Sequence, residues 1–347
     1  MKVGILVHIF DFRGTEKFTA FLAQILQEEG HEVELITDRR VSPARLNRAF
    51  GTSLRRLPVR FVSSLLGPEG RRVVPMTADY DLFVNQSSGV SFPSFAKRSW
   101  LWVHYLPRQV PAFADFYEVY ANSLHTRKKI RELWGRKAEL LYGPVPVRGF
   151  GPLKKEKMIL TVGKLRSRPF YKYELELIRC FGRLHRDGRL PGWEYRLAGL
   201  SGPPSDARWV RKLRQAARGL PVRLHLDLPA AELARLYGRA SLLWHATGLR
   251  ADERGDPRDL EPFGIAVVEA MAAGCVPLAH GRGGPAEIIR HGESGFLIRT
   301  LEDLSRSTVE LAAGRRAWAP LRRAARARSR VFSVSSFRKT LRGLLRL

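Results

Sequence analysis

Acid is what this chain lacks most: 33 aspartates and glutamates face 60 lysines and arginines in 347 residues, a formal net charge of +27. An excess of that size argues against exclusively neutral partners and implies an anionic one: nucleic acid, an acidic membrane face or a phosphorylated substrate. Cysteine is nearly missing. Cys180 and Cys275 both sit in apolar, helical or near-helical surroundings, so no disulfide framework or zinc site is available and both read as small core residues. No apolar run reaches the length of about 18 residues that a spanning helix requires, which excludes one. The chain opens directly on Met1-Lys2 and a strand, without a charged-then-apolar leader, so an intracellular protein, soluble or peripheral, is expected. No repeat at solenoid periods is visible, and no low-complexity segment beyond an arginine-rich tail. Against these absences, 44% hydrophobic residues and seven tryptophans exclude a wholly disordered chain, and the length suits two domains of ordinary size.

The most informative stretch runs from Glu261 to Gly284. Pro262 stops what precedes it, and the apolar run Phe263 to Ala273 has the length and composition of a helix beginning at about Gly264. Gly274 caps its end, and Val276 to Ala279 reads as a buried strand leading into the glycine turn of Gly281, Gly283 and Gly284. The free N–H groups and positive dipole end of such a helix, facing back towards Glu261, suit a diphosphate. Glu269 lies inside the helix among Val267, Val268, Ala270 and Met271, where an unpaired carboxylate is costly. One carboxylate before a helix and one within it can reach two parts of one ligand. Taken alone, the spacing equally fits a solvated loop residue and an arginine-paired one.

Taken in order, Lys2 to His8 is a buried strand, a helix follows from about Glu16 to Gly30, and His31 to Thr37 is the next strand. This unit opens a doubly wound sheet with its ligand face at the strand carboxyl ends, where the loop His8 to Glu16 lies. Arg39 to Arg72 carries nine arginines against Glu69 alone, interleaved with Leu54, Leu57, Val59, Phe61, Val62, Leu65 and Leu66. It reads as a basic, partly apolar surface for an anionic lipid or bilayer, and an RNA-binding face would look similar. Asp79-x-Asp81 precedes the strand Asp81 to Gln86 instead of ending it, so a metal reading is set aside. Trp100 to Tyr105 is another strand, with His104 near its end, and Ala121-Asn122-Ser123 leads into a basic helix. Pro144 to Pro152 reads as the linker. Beyond it, strands are expected at Met158 to Val162, Tyr195 to Gly199, Val222 to Leu226 and Ser241 to Gly248, before a long charged loop, Leu249 to Leu260. From Gly314 onward eleven basic residues occur with no acid, and Phe337, Leu341, Leu344 and Leu345 share one helical face. The run Arg315 to Arg330 is a second candidate for a membrane surface.

The pattern Glu261-x-Phe263-Gly264-Ile265-x-x-Val268-Glu269-Ala270-Met271-Ala272-x-Gly274, with Gly283-Gly284-Pro285-x-Glu287-Ile288-Ile289 and Gly292-x-x-Gly295-Phe296-Leu297, closely resembles the nucleotide-sugar motif of retaining glycosyltransferases of family 4. The resemblance covers nearly the whole chain and is strongest from 158 to 298. It implies the GT-B fold, an α/β architecture of two Rossmann-like domains with a cleft between them. An acceptor-binding domain is expected at 1–146, a nucleotide-sugar-binding domain at 153–320, and a helical segment at 321–347 packing back on the first. Gly163-Lys164-Leu165 stands where the family has Gly-Arg-Leu, and Lys172 matches the family's following lysine after a three-residue insertion around Arg166 to Pro169. Both lysines would grip the diphosphate; at 164 the charge is kept without the bidentate fork, part of which Arg168 could replace. The N–H groups of Phe263, Gly264 and Ile265 would join them. By the same resemblance Glu269 would take the ribose hydroxyls, Glu261 hydroxyls of the donor sugar, and His104 its opposite edge. Arg13-Gly14-Thr15-Glu16 keeps one glycine of the family's Gly-Gly-x-Glu loop, which puts the contacts of Gly14 and Thr15 in question. No metal is implied.

The same motifs, with Val103-His104-Tyr105 and Leu278-Ala279-His280-x-x-Gly283-Gly284-Pro285, are similar to GDP-mannose-dependent mannosyltransferases that extend lipid-linked oligosaccharides. They imply transfer of mannose to a polyisoprenoid-diphosphate glycan, at the cytoplasmic face of a membrane whose anionic surface the basic segments would meet. A UDP-sugar-dependent α-glycosyltransferase of glycolipid or polysaccharide synthesis is the nearest alternative. From another class comes a nucleic-acid-binding protein, favoured by the charge but not by any arginine-interleaved aromatic sheet face. A degenerate, inactive transferase is a third reading, prompted by the altered loop at Gly14.

Overall fold

The computed structural model describes residues 1–8, 14–63, 65, 68–87, 92–165, 172–200, 206–251, 256 and 259–345. Expectations attached to Arg13, Leu66, Ser88, Gly89, Arg166 to Pro169 and much of the loop between Ala251 and Asp259 lie outside the described residues. Contacts divide the chain into two units, Met1–Pro144 with Val334–Leu347, and Val145–Ser333.

The first unit is built on seven strands: β1 Lys2–Val7, β2 Glu32–Thr37, β3 Val59–Phe61, β4 Leu82–Asn85, β5 Arg98–Val103, β6 Glu118–Ala121 and β7 Glu139–Leu140. They form one parallel sheet in the order β3-β2-β1-β4-β5-β6-β7. Its central strands are almost wholly buried, as continuous apolar runs covered on both faces should be. The crossover from β1 to β2 is the helix Gly14–Glu28, which buries Phe18, Phe21, Leu22, Ile25 and Leu26 at the i, i+3, i+4, i+7, i+8 positions of one face. It starts two residues earlier than expected. Gly14 and Thr15 are therefore its first turn and not loop, an arrangement that brings Glu16 to the positive end of the dipole. Ser123 caps the helix Leu124–Trp134 by accepting from the Thr126 N–H, and Gly135 ends it in the left-handed region.

The helix Val334–Leu345 belongs to this unit although it is last in sequence. Phe337 stacks on Trp102 with centroids 5.5 Å apart, and Leu341 is buried beside it. Arg338 and Arg342 pair with Glu29 at 3.2 and 2.9 Å. The preceding helix Trp318–Ser329 falls in the second unit, so the segment 321–347 is divided and does not pack as one piece. The arginine-rich segment also differs from expectation. Leu54, Leu57 and Leu65 are buried, and Phe61 alone of the apolar residues named there and described is exposed. Those leucines turn inward and leave all nine arginines of the segment exposed.

The second unit holds six strands: β8 Glu156–Lys164, β9 Glu194–Leu200, β10 Val222–Leu226, β11 Ala240–His245, β12 Val276–His280 and β13 Phe296–Ile298. They too are parallel, in the order β10-β9-β8-β11-β12-β13. Trp244, Tyr195 and Phe181 are fully buried at its centre, where Trp244 Nε1 donates to Thr308 Oγ1 at 3.0 Å. Cys180 and Cys275 are buried and unpaired with each other. Chain order reverses between β8 and β11, the switch point outside whose carboxyl ends open α/β sheets hold ligands. Among the described residues no helix is long and apolar enough to cross a membrane.

Candidate functional site

At the switch point of the second sheet, β8 ends in Gly163-Lys164 and β11 ends in His245, with Thr247 just beyond. The chain returns through Glu261 into the helix Ile265–Ala272, close to where both strands stop. Glu261 Oε2 receives the Lys172 ammonium at 2.6 Å and lies 3.1 Å from His245 Nε2; Lys172 also donates to Thr247 Oγ1 at 3.3 Å. Lysine and glutamate are each 16% exposed, which leaves the pair reachable yet poorly solvated. Burial by itself would raise the Glu261 carboxyl. The Lys172 charge and the His245 hydrogen bond outweigh it and hold the group well below the ordinary carboxylate range. Burial lowers His245, so it is a neutral imidazole whose Nε2–H points at Glu261 and whose Nδ1 is buried without a partner.

Two close approaches dictate glycine here. A Cβ on Gly163 would stand 2.7 Å from both Cδ and Cε of Lys172, so the absent side chain is the channel through which the lysine stem passes. A Cβ on Gly284 would meet the Phe263 carbonyl oxygen at 2.1 Å, and the Gly284 N–H donates to the Glu261 carbonyl at 2.8 Å. The glycine turn after β12 thus buttresses the backbone that carries Glu261 and Phe263. No side chain caps the helix Ile265–Ala272, whose N-cap Gly264 has a φ of 111°. Its first-turn N–H groups and dipole favour an anion. Glu269 is buried further along that helix, beside Tyr237, whose hydroxyl is raised well above its ordinary range by burial and then by the Glu269 charge. Lys164 is partly exposed at the carboxyl end of β8.

Sequence reasoning passed over three groups nearby. Thr247 holds Lys172, His280 ends β12 buried with Nδ1 unpartnered, and Glu174 follows Lys172 with its carboxyl fully buried. Burial first, and then the Arg282 charge, lowers His280 to about 4. His280 was visible in the Leu-Ala-His pattern, but Glu174 carried no signal, because nothing in its neighbourhood distinguishes an inward carboxyl from an outward one.

In the first unit His104 follows β5 and is buried between Phe18 and Trp102, at ring distances of 5.5 and 4.5 Å. Burial lowers it to about 3, so it is neutral. Its Nε2 lies 2.9 Å from Gln86 Oε1, which is 3.1 Å from Thr19 Oγ1; that hydroxyl is in turn 2.9 Å from the Thr15 carbonyl. The single Thr19 proton serves one of these oxygens at a time. This chain ties the turn at Gly14 and Thr15 to His104, while His104 Nδ1, Gln86 Nε2 and Ser87 Oγ stay buried without partners. Polar atoms left open in a fixed geometry are what a hydroxyl-bearing ligand needs. Asp81 is occupied by Lys97 at 2.6 Å and the Lys2 N–H at 2.8 Å, and among the described residues no three His, Cys, Asp or Glu side chains are grouped to hold a metal ion.

The fold has close counterparts among solved structures. A structure of Anabaena Alr3699/HepE in complex with UDP is 17% identical, with a TM-score of 0.77 over 99% of each chain. Two parallel-sheet Rossmann-like units of this kind make the GT-B fold. More particularly, the chain belongs to the family described as glycosyl transferases group 1, whose profile matches residues 148–327. Among curated proteins it is 27% identical over 237 residues to the GDP-Man:Man(3)GlcNAc(2)-PP-Dol alpha-1,2-mannosyltransferase of Dictyostelium discoideum, covering 63% of this chain and 45% of that one. The Homo sapiens protein of the same name is 30% identical over 245 residues, covering 64% and 46%. The chain thus spans about half the length of these curated relatives.

Proposed function

We propose that this glycosyltransferase moves mannose from GDP-mannose to a hydroxyl of a polyisoprenoid-diphosphate-linked glycan, with retention at the anomeric carbon. The observation that carries the reading is the Lys172–Glu261–His245 cluster at the switch point, beside an uncapped helix start. The names of the two curated relatives support the donor and acceptor class. Lys172 and Lys164, with the N–H groups from Phe263 to Ile265, bind the diphosphate. Charge grows on that diphosphate as the sugar departs, so these donors stabilise the transition state more than the ground state. Glu261, already ionised, accepts hydrogen bonds from donor-sugar hydroxyls while His245 keeps it oriented. Glu269 takes the ribose hydroxyls, the turn at Gly14 and Thr15 contacts the substrates, and His104 contacts the sugar. The bond from C1 to the β-phosphate oxygen breaks, and the acceptor oxygen bonds C1 on the same face. The leaving phosphate oxygen accepts the acceptor's proton, and GDP departs. Work at the cytoplasmic face of a membrane, through the basic surface, belongs to the same proposal.

Incubating the intact chain with GDP-mannose and, separately, with UDP-sugars tests it, with sugar transfer or donor hydrolysis as the readout. Turnover with GDP-mannose is expected. Turnover with a UDP-sugar alone would replace the mannose reading by that of a UDP-dependent glycolipid or polysaccharide enzyme.

A further inference from the structure

The arginine run of the last third has no part in the donor site, yet it builds a site of its own. Leu153 and Lys155 lie just before β8, and Gly274 lies between the helix Ile265–Ala272 and β12. Both segments therefore sit at the amino ends of the second sheet's strands, opposite the edge that carries Lys172 and Glu261. The helix Trp318–Ser329 lays Arg322, Arg323 and Arg326 against them, and together they line a cavity of about 410 Å³. Four of its lining side chains are cations and none is acidic.

The wall is shaped by hydrogen bonding. Lys155 Nζ donates to the carbonyls of Ala273, Ala240 and Tyr237 at 2.8, 2.9 and 3.3 Å, filling the carboxyl ends of two helices whose dipoles favour a cation there. Burial, with the Arg322 and Arg326 charges adding to it, lowers this ammonium to about 8. Arg322 lies over the Trp318 ring at 4.8 Å and reaches Ser241 Oγ at 3.4 Å, but its Nε is buried with no partner. Among the described residues none of the three arginines has an ion-pair partner, although Arg322 and Arg326 are four apart on one helix, where like charges repel. A carboxylate would relieve that repulsion, and the described residues supply none. Guanidinium forks around a space of this size match the oxygens of a phosphate.

We propose that this cavity is a second anion site, distinct from the donor centre, that takes a phosphate or diphosphate group. Its source is either a soluble phosphorylated molecule or the headgroup of an anionic lipid. The test titrates inorganic pyrophosphate into the full chain held at saturating GDP, for the wild type, Arg322→Gln/Arg326→Gln and Arg323→Gln. The double variant is expected to lose at least tenfold in pyrophosphate affinity, with GDP affinity and circular dichroism unchanged. Exposed Arg323, whose loss leaves the core untouched, should cost about threefold. Co-sedimentation with phosphatidic acid vesicles, against phosphatidylcholine, separates the two sources. A headgroup occupant gives arginine-dependent sedimentation that pyrophosphate reverses, whereas a soluble occupant gives none. Equal pyrophosphate affinity in all three proteins overturns the proposal, as does a parallel loss of GDP binding. A chain that binds no GDP yet loses pyrophosphate in the double variant keeps this site and refutes only the donor reading.

Discussion

Single residues decide the chemistry here through competing burial and charge. Glu261 and Glu174 are both removed from water, yet they move in opposite directions. Glu261 has Lys172 at 2.6 Å and stays ionised; Glu174 has no hydrogen-bond partner on either oxygen, and burial pushes it up to about 8. The folded chain therefore keeps a proton on Glu174 that the unfolded chain releases above about 4.5, so this group lowers stability as pH rises between those values. Glu174→Gln should raise the melting temperature, by more at pH 8 than at pH 5, equivalent to about 1–3 kcal/mol at the higher pH. An identical gain at both pH values would contradict the assignment. Glu261→Ala takes away the group that holds Lys172 and the proposed sugar contact together. Its turnover should fall at least about 100-fold, at a folding stability adequate for purification. Retention of full activity would remove Glu261 from the site.

At the scale of elements, nine of the thirteen described strands were legible because a parallel sheet covered on both faces demands apolar runs, as at Leu82 to Asn85 or Ser241 to His245. The short edge or less apolar strands Val59–Phe61, Glu118–Ala121, Glu139–Leu140 and Phe296–Ile298 were not. The helix Ile265–Ala272 announced itself through Pro262 and Gly274. Direction could not be read either. Leu54, Leu57 and Leu65 lie in an arginine-rich segment that fits an amphipathic surface, and only their burial in the fold shows that they point inward. Likewise the lysine at 172 was placed by resemblance, while the reason for Gly163 is a contact between residues nine apart that spacing does not reveal. The last helix was legible by its Phe337–Leu341 face, but the break between it and Trp318–Ser329 was not. Phe337 carries that docking on the first unit, stacked on Trp102. Phe337→Ala should cost roughly 3–4 kcal/mol, read by chemical denaturation, with early hydrogen exchange in Val334–Leu345. An unchanged midpoint would mean that the arginine–Glu29 pairs hold the helix by themselves.

Over the whole molecule, the excess of 27 positive charges is distributed to more than one end. Part of it faces the proposed diphosphate through Lys164 and Lys172, part lines the cavity at Arg322 and Arg326, and part remains on the arginine-rich surface from Arg39 to Arg72. Charge alone therefore does not define the function; the proposed function rests instead on the placement of Lys172 against Glu261. The most direct measurement is an equilibrium titration of GDP and of UDP into the intact chain and into its Lys172→Met variant. GDP should bind the wild type more tightly than UDP and lose at least tenfold in affinity when the lysine is replaced. GDP affinity that is the same with methionine at that position would contradict the account.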